Sequence, residues 1–307
     1  MAHWERQDLP VEANRQKRGP VEVGTQRQAP ASPPPRPSIF RGPVQVGMHR
    51  QAPKPPPPPV LSYSIDAPPA SIDPEPVVLR LDPQDLAPFR MGKEHQYGAL
   101  KRLPFVRKMF KFKQEDRLFE LAGDDSTYPA VAAALMECGF SMDKIRQSVA
   151  EGICLTLSMR WIAEQLQLSP SGDRLSSITL KGMAQSLFKD VTARHDDAAL
   201  PIVAMLAAAH GLRYDGNERE FLVDIHSMNQ VLADVSNGYF VFGWTGIGGH
   251  ATAYTDQGGM AKFFDPNAGE YLLTTSQRSN KAAFLDKWHE CARKPYFKIK
   301  VYQVWAA

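Results

Sequence analysis

The sequence predicts an α+β fold in which a helical part is followed by an antiparallel sheet, with a segment lacking fixed structure in front of both. Proline is concentrated near the N-terminal end, helical apolar patterns fill the middle, and short strand-like runs separated by glycine turns come last. With 307 residues and 43% apolar content, the chain has enough material for one well-buried domain or two small ones.

The proline-rich part is predicted to be disordered. Residues 1–90 hold 20 of the 26 prolines, and proline fixes φ and lacks an N–H, which opposes helices and sheet ladders. The motif RGPVEVGTQRQAP from Arg18 recurs as RGPVQVGMHRQAP from Arg41, a 23-residue repeat. Two interpretations stay open: a duplicated flexible tail, or a docking ligand for a proline-binding module. We therefore place the globular domain at residues 91–307.

Within that domain the hydrophobic period changes from helical to extended. Glycines stop two of the helical runs, and Gly-Gly or Pro-Asn-Ala-Gly turns separate the strands. The predicted helices are 128–138, 141–150, 154–166, 176–192, 199–210 and 277–291, and the predicted strands are 239–245, 250–256, 260–264, 270–274 and 296–305.

Bulk composition argues against several classes of function. A net charge of +3 gives no support for a nucleic-acid partner. Three cysteines form neither a disulfide framework nor a Cys-x-x-Cys metal pair, and no phosphate-binding loop is present, so we expect no metal and no cofactor. No run reaches the roughly 18 apolar residues of a membrane span, and the first residues lack the apolar stretch of a cleavable signal peptide.

A basic and aromatic run lies at the start of the globular domain. Residues 101–113, KRLPFVRKMFKFK, carry six basic residues and no acidic one. Two interpretations fit it: peripheral contact with a membrane surface or an acidic partner, or a solvated edge of the domain whose aromatic side chains point inward.

One cysteine stands where a helix is predicted to begin. In EGICLTLSMRWIAEQL, residues 151–166, Gly152 permits an unusual turn and Cys154 opens the helical pattern. Placement at a helix N-terminus favours the thiolate, which is the nucleophilic form of cysteine, and the same backbone amides can hold an oxyanion. Taken alone, this stretch favours the interpretation that Cys154 is a small buried hydrophobic residue.

A base and a group that orients it lie downstream. His250 follows two glycines at the start of one predicted strand, and Asp265 ends the next strand, 15 residues later. Because a hairpin closed near Gly258 and Gly259 folds these strands together, we expect the carboxylate to contact one nitrogen of the imidazole and the other nitrogen to face the thiol. The sequence therefore predicts a Cys154, His250, Asp265 catalytic group.

Three blocks of this sequence resemble a known family. GICLTLSMRWI, GGHATAY and FFDPNAGEY occur in the order and spacing of the YopT/AvrPphB-type bacterial effector cysteine proteases, over roughly residues 125–305. The resemblance implies a papain-like fold, with the nucleophile at Cys154, the base at His250 and the orienting carboxylate at Asp265. For the second oxyanion donor the sequence offers Gln147, seven residues before Cys154.

The resemblance also implies a working context: secretion by a bacterium through the type III route, without a cleaved signal peptide, and cleavage of host proteins of the kinase or small GTPase class inside the host cell. Residues 1–90 would then serve secretion or docking. Two alternatives remain. An acyl transferase of transglutaminase or deamidase type uses the same three residues, and an interaction protein would work through its proline-rich segment without catalysis.

Overall fold

The computed structural model describes residues 94–169, 174–195, 200–223, 227–246, 248–257, 259–292 and 296–307. The predicted disordered segment, residues 1–90, lies outside this part of the chain. The described residues belong to one compact unit, 59–307. Its helices and antiparallel strands confirm the predicted α+β class.

The helices are mostly short and come early in the chain. Polar residues at the N-terminal ends and glycines after the C-terminal ends mark several of these helices. For example, the side chain of Ser141, just before the third helix, accepts a hydrogen bond from the Lys144 N–H. The described α-helices are α1 Gln114–Ala122, α2 Thr127–Glu137, α3 Met142–Glu151, α4 Cys154–Gln165, α5 Leu180–His195, α6 Ile202–Ala209, α7 Ser227–Asp234 and α8 Arg278–Ala292, with 3₁₀ helices at Glu94–Arg102 and Leu175–Ser177.

Among the described residues the strands form a single antiparallel sheet. In chain order they are β1 Val106–Phe110, β2 Leu212–Leu222, β3 Gly238–Gly246, β4 Gly248–Gln257, β5 Met260–Asp265, β6 Gly269–Leu273 and β7 Tyr296–Ala306. Their spatial order is β1-β6-β5-β4-β3-β7-β2, so β4 lies at the centre. The β4–β5 hairpin pairs Ala253 with Phe264 and Gln257 with Met260.

Helices cover both faces of the sheet, which makes three layers. Helix α4 packs on β4 from one side within the larger apolar core, and α8 packs with the 3₁₀ helix Glu94–Arg102 and α7 on the other side. Because β4 is covered on both faces, it is buried continuously from His250 to Thr255 instead of alternating. Helix α4 is buried from Thr156 to Ala163 and has no solvent-facing stripe over that length.

Among the described α-helices and strands, the sequence patterns missed β1, α1, β2 and α7, and they also missed the 3₁₀ helix Glu94–Arg102. Strand β2 is at the sheet edge and carries the charged sequence LRYDGNEREFL, so it lacks an apolar face to reveal its period. Strand β1 lies inside the basic run 101–113, where Arg107 is exposed and Phe110 packs toward the core. Helix α5 begins at Leu180, four residues later than predicted.

No described helix is both long and apolar enough to span a bilayer.

Candidate active site

The turn before α4 holds Cys154 at the first position of the helix. Gly152 ends α3 with φ of 84°, a left-handed conformation that glycine adopts at little cost. Ile153 is fully buried and anchors the turn in the core, whereas Cys154 is partly exposed. Since isoleucine has no side-chain acceptor, the first amides of α4 are not capped by the residue before them. These amides are available to an anionic group beside the thiol.

His250 and Asp265 meet across the β4–β5 hairpin. When the β4–β5 register is continued by one residue, Asp265 lies opposite Thr252. His250 is then the diagonal neighbour of Asp265 on the same face of the sheet. The Nε2 atom of His250 lies 2.9 Å from Oδ1 of Asp265, and both side chains are buried. Because an ionised carboxylate can only accept, His250 donates through Nε2 and its Nδ1 is left for another partner.

Cys154 lies beside this imidazole. Its side chain helps to raise the pKa of His250 through hydrogen bonding and charge, although 96 positions separate the two residues along the chain. Both residues line a cleft of about 600 Å³. One wall comes from the end of α3, the start of α4 and the helices α5 and α6, and the other comes from the glycine-rich ends of β3 and β4. A sulfur, an imidazole and a carboxylate therefore form one connected chain of contacts that opens into a cleft.

Asp265 is surrounded by hydrogen-bond donors. Its Oδ1 also accepts from the backbone N–H of Asn267 at 2.8 Å, and its Oδ2 accepts from the indole N–H of Trp288 at 2.8 Å. The hydroxyl of Tyr97, on the 3₁₀ helix before β1, donates to the same carboxylate. The indole of Trp288 also stacks on the His250 ring, with centroids 6.1 Å apart and planes at 15°. These contacts fix the carboxylate and cover it from water.

The electrostatics of the pair favour the charged forms. Burial alone would lower the pKa of His250, but the charge of Asp265 and its hydrogen bond raise that pKa well above 6.5, with a further contribution from Cys154. Burial would raise the pKa of Asp265, but the imidazolium of His250 and the donors from Asn267 and Trp288 lower it below its usual value. At neutral pH the two side chains form a buried imidazolium–carboxylate pair.

The structure does not favour Gln147 as an oxyanion donor. Its side chain is exposed on α3, its amide donates to Glu151 at 2.7 Å, and it is absent from the cleft lining. The physical reason is that Gln147 lies about one turn before the end of α3, on the face of the helix that is exposed to solvent.

Another amide lines the cleft instead, that of Gln114, the first residue of α1. Gln114 is 3% exposed, and its amide contacts Oδ1 of Asn267 at 2.8 Å. Its backbone N–H donates to the carbonyl of Pro266, which holds the turn after Asp265. The sequence patterns did not identify three residues of the site, Gln114, Tyr97 and Trp288. Each of them interacts with a residue on a different helix, strand or turn, and local patterns do not reveal such interactions.

No group of three or more His, Cys, Asp or Glu side chains that could hold a metal ion occurs in the described parts of the chain.

Comparison with known proteins gives both a family match and a structural match. Residues 224–304 match the family model of the Peptidase C58 family, described as Yersinia/Haemophilus virulence surface antigen. A crystal structure of the Pseudomonas avirulence protein AvrPphB aligns with 50% of this chain and 92% of its own, at 19% identity and a TM-score of 0.39. Among curated protein sequences, none matches this chain. The family match confirms the resemblance predicted from the sequence, over a region that contains His250 and Asp265 but not Cys154.

Proposed function

We propose that the protein is a cysteine endopeptidase that works through Cys154, His250 and Asp265. The observation that carries this proposal is the continuous contact from the thiol through the imidazole to the buried carboxylate, beside an open cleft. The match of residues 224–304 to a peptidase family supports the same chemistry. Residues 1–90 would be a separate proline-rich segment, and 91–307 the papain-like protease domain.

The reaction is an acyl transfer in two halves. The Cys154 thiolate attacks the carbonyl carbon of a peptide bond, and the electron pair of that carbonyl moves onto its oxygen. When the tetrahedral intermediate collapses, His250 gives its proton to the leaving amine and a thioester to Cys154 remains. Water then attacks the thioester while His250 takes its proton, which releases the acid and regenerates the thiolate. Asp265 holds the imidazole in the required orientation throughout.

The oxyanion of the intermediate needs donors near Cys154. The uncapped N-terminal amides of α4 supply one set, and the positive end of the helix dipole acts in the same direction. We assign the second donor to Gln114, because it is the buried side-chain amide at the start of α1 that lines the cleft. Its neighbour Asn267 keeps the amide in place through the 2.8 Å contact.

The cleft suits a segment of another protein. The glycines at its rim, Gly243, Gly248 and Gly249, carry no side chains that would block an extended backbone. Leu155, Ile202 and Val203 on the helical side offer apolar contacts to its side chains. The substrate would be a host protein, and the enzyme would reach it by type III secretion from a bacterium, as the family resemblance implies.

A comparison of new N-termini in host-cell lysate tests the proposal. Active protein is expected to generate N-termini that do not form with Cys154→Ala, a variant that keeps the fold because Cys154 lies at the edge of the cleft. Mass shifts on intact glutamines, without new N-termini, would instead support the transglutaminase or deamidase alternative. Identical N-termini with both proteins would eliminate Cys154 as the nucleophile.

A further inference from the structure

A partly buried arginine stands behind the proposed nucleophile. Arg194, near the end of α5, lines the cleft and lies close enough to Cys154 for its positive charge to interact with a thiolate. Its guanidinium makes contacts in three directions. It donates to Oε2 of Glu151 at 2.7 Å, to the carbonyl of Gly152 at 3.2 Å and to Oδ2 of Asp190 at 3.1 Å.

These contacts tie down the chain on both sides of Cys154. Glu151 and Gly152 form the turn that leads into the nucleophile, and their contacts to Arg194 span 43 and 42 positions of sequence. On the other side, the hydroxyl of Thr156, two residues after Cys154, donates to Oδ1 of Asp190 at 2.8 Å. The start of α4 is thus connected to α5 through one hydrogen-bonded network.

Arg194 is the positive partner of two carboxylates in this network. Asp190 is fully buried, Glu151 lies at the cleft, and both carboxylates face Arg194. Burial raises the pKa of Asp190, and the charge of Arg194 and its hydrogen bond oppose that rise. Without the guanidinium, Asp190 and Glu151 would both lose the partner that fixes them beside the turn before Cys154.

From this geometry we infer that Arg194 is a positioning residue for the nucleophile: it fixes the Glu151–Gly152 turn against α5 and pairs with the two carboxylates beside that turn. The inference rests on the proposed function, since it gives Cys154 a role that requires the thiolate. Arg194 contacts no reacting atom in this scheme and acts only through the turn and the charge balance.

Arg160 offers a matched control for a merely structural role. This arginine is buried between α4 and α5, and its guanidinium donates to the carbonyl of Gly182 at 2.9 Å and to Ser186 at 3.2 Å. It lies six positions after Cys154, nearly two helical turns away. Loss of either arginine should lower the melting temperature, whereas only loss of Arg194 should change the reactivity of Cys154.

The experiment measures alkylation of Cys154 by iodoacetamide between pH 5 and 9 in Arg194→Gln, Arg194→Lys, Arg160→Gln and the unaltered protein. Mass spectrometry of the peptide that carries Cys154 separates it from the exposed Cys138. Besides Arg194, the titratable groups that interact with Cys154 include His250 on β4 and Tyr296 on β7. Glu151 on α3 acts through its pairing with Arg194. None of these three residues is replaced in any variant. Alkylation requires no substrate, so its result does not depend on peptidase activity.

We expect Arg194→Gln to slow alkylation of Cys154 at neutral pH about tenfold, because the turn that holds the thiol loses its contacts to α5 and the neighbouring positive charge is removed. Arg194→Lys should recover part of that rate, because it keeps the charge but cannot make three directed contacts. Arg160→Gln should alkylate like the unaltered protein. Equal rates for Arg194→Gln and Arg160→Gln would overturn the inference. If peptidase activity proves absent while Arg194 alone controls alkylation, the proposed function fails and the positioning role stands.

Discussion

Replacing Asp265 by asparagine should reverse the direction in which the site shifts the pKa of His250. In the intact site that pKa rises from 6.5 to about 10. Because a tenfold change in a protonation equilibrium corresponds to about 1.4 kcal/mol, this rise corresponds to about 5 kcal/mol in favour of the charged ring. Burial acts the other way and is the largest single influence on this group. With the carboxylate removed, burial wins, and the pKa should fall below 6.5.

The measurement is an NMR titration of the His250 ring in protein labelled at histidine. Cys154→Ala is introduced into both proteins, so that the thiol no longer contributes and the remaining difference reports Asp265 alone. We expect the pKa of His250 to lie above 6.5 when Asp265 is present and below 6.5 when an asparagine amide replaces the carboxylate. A value that stays above 6.5 after Asp265→Asn would refute the reasoning, because some other group would then be charging the ring.

The His250–Asp265 pair should also make folding stability depend on pH. A group whose pKa is raised by folding contributes fully below its unfolded value, near 6.5 for His250, and that contribution is lost as the pH rises through about 10. Asp265 has a lowered pKa, so its contribution is present above about 4 and is lost at lower pH. The free energy of unfolding, measured by urea titration, should therefore fall between pH 7 and 10 more steeply for the unaltered protein than for Asp265→Asn.

Two further predictions concern the residues around the pair. Trp288→Phe keeps an aromatic ring but removes a donor from the buried Asp265, and should lower the free energy of unfolding by about 1 to 3 kcal/mol in urea titrations. Trp244→Phe, which loses only a bond to a threonine hydroxyl, should cost less, and equal costs would count against a special role for the indole of Trp288. Gln114→Ala should lower kcat on a cleaved host peptide about 100-fold or more, as loss of one oxyanion donor does elsewhere, while Gln147→Ala leaves kcat unchanged. Equal effects of the two glutamine substitutions would remove Gln114 from the oxyanion site.

Local patterns were sufficient for the elements that carry Cys154, His250 and Asp265. The helix from Cys154 and the strands at His250 and before Asp265 were each predicted within two residues of their observed ends. A helix start, a glycine-closed hairpin and a strand end are short-range features, so the residues that define them lie next to one another in the sequence. The contact between His250 and Asp265 follows from the hairpin register, which is also local.

Contacts between distant elements were beyond the reach of those patterns. Gln147 was chosen because it lies close to Cys154 in sequence, yet the helix directs it outward. Gln114, Trp288 and Arg194 lie 40, 134 and 40 positions from Cys154, and nothing in their neighbouring residues marks them. Edge strand β2 was missed because its charged residues hide the extended period.

The sequence by itself therefore determined the α+β class, the helix that begins at Cys154 and the hairpin that joins His250 to Asp265, because each depends on interactions between residues close along the chain. Only the tertiary structure decided that α4 meets β4 so that the thiol contacts the imidazole, and that Arg194, Gln114 and Trp288 surround them. Those placements arise from burying α4 and β4 between two helical layers, which is a property of the whole packed domain.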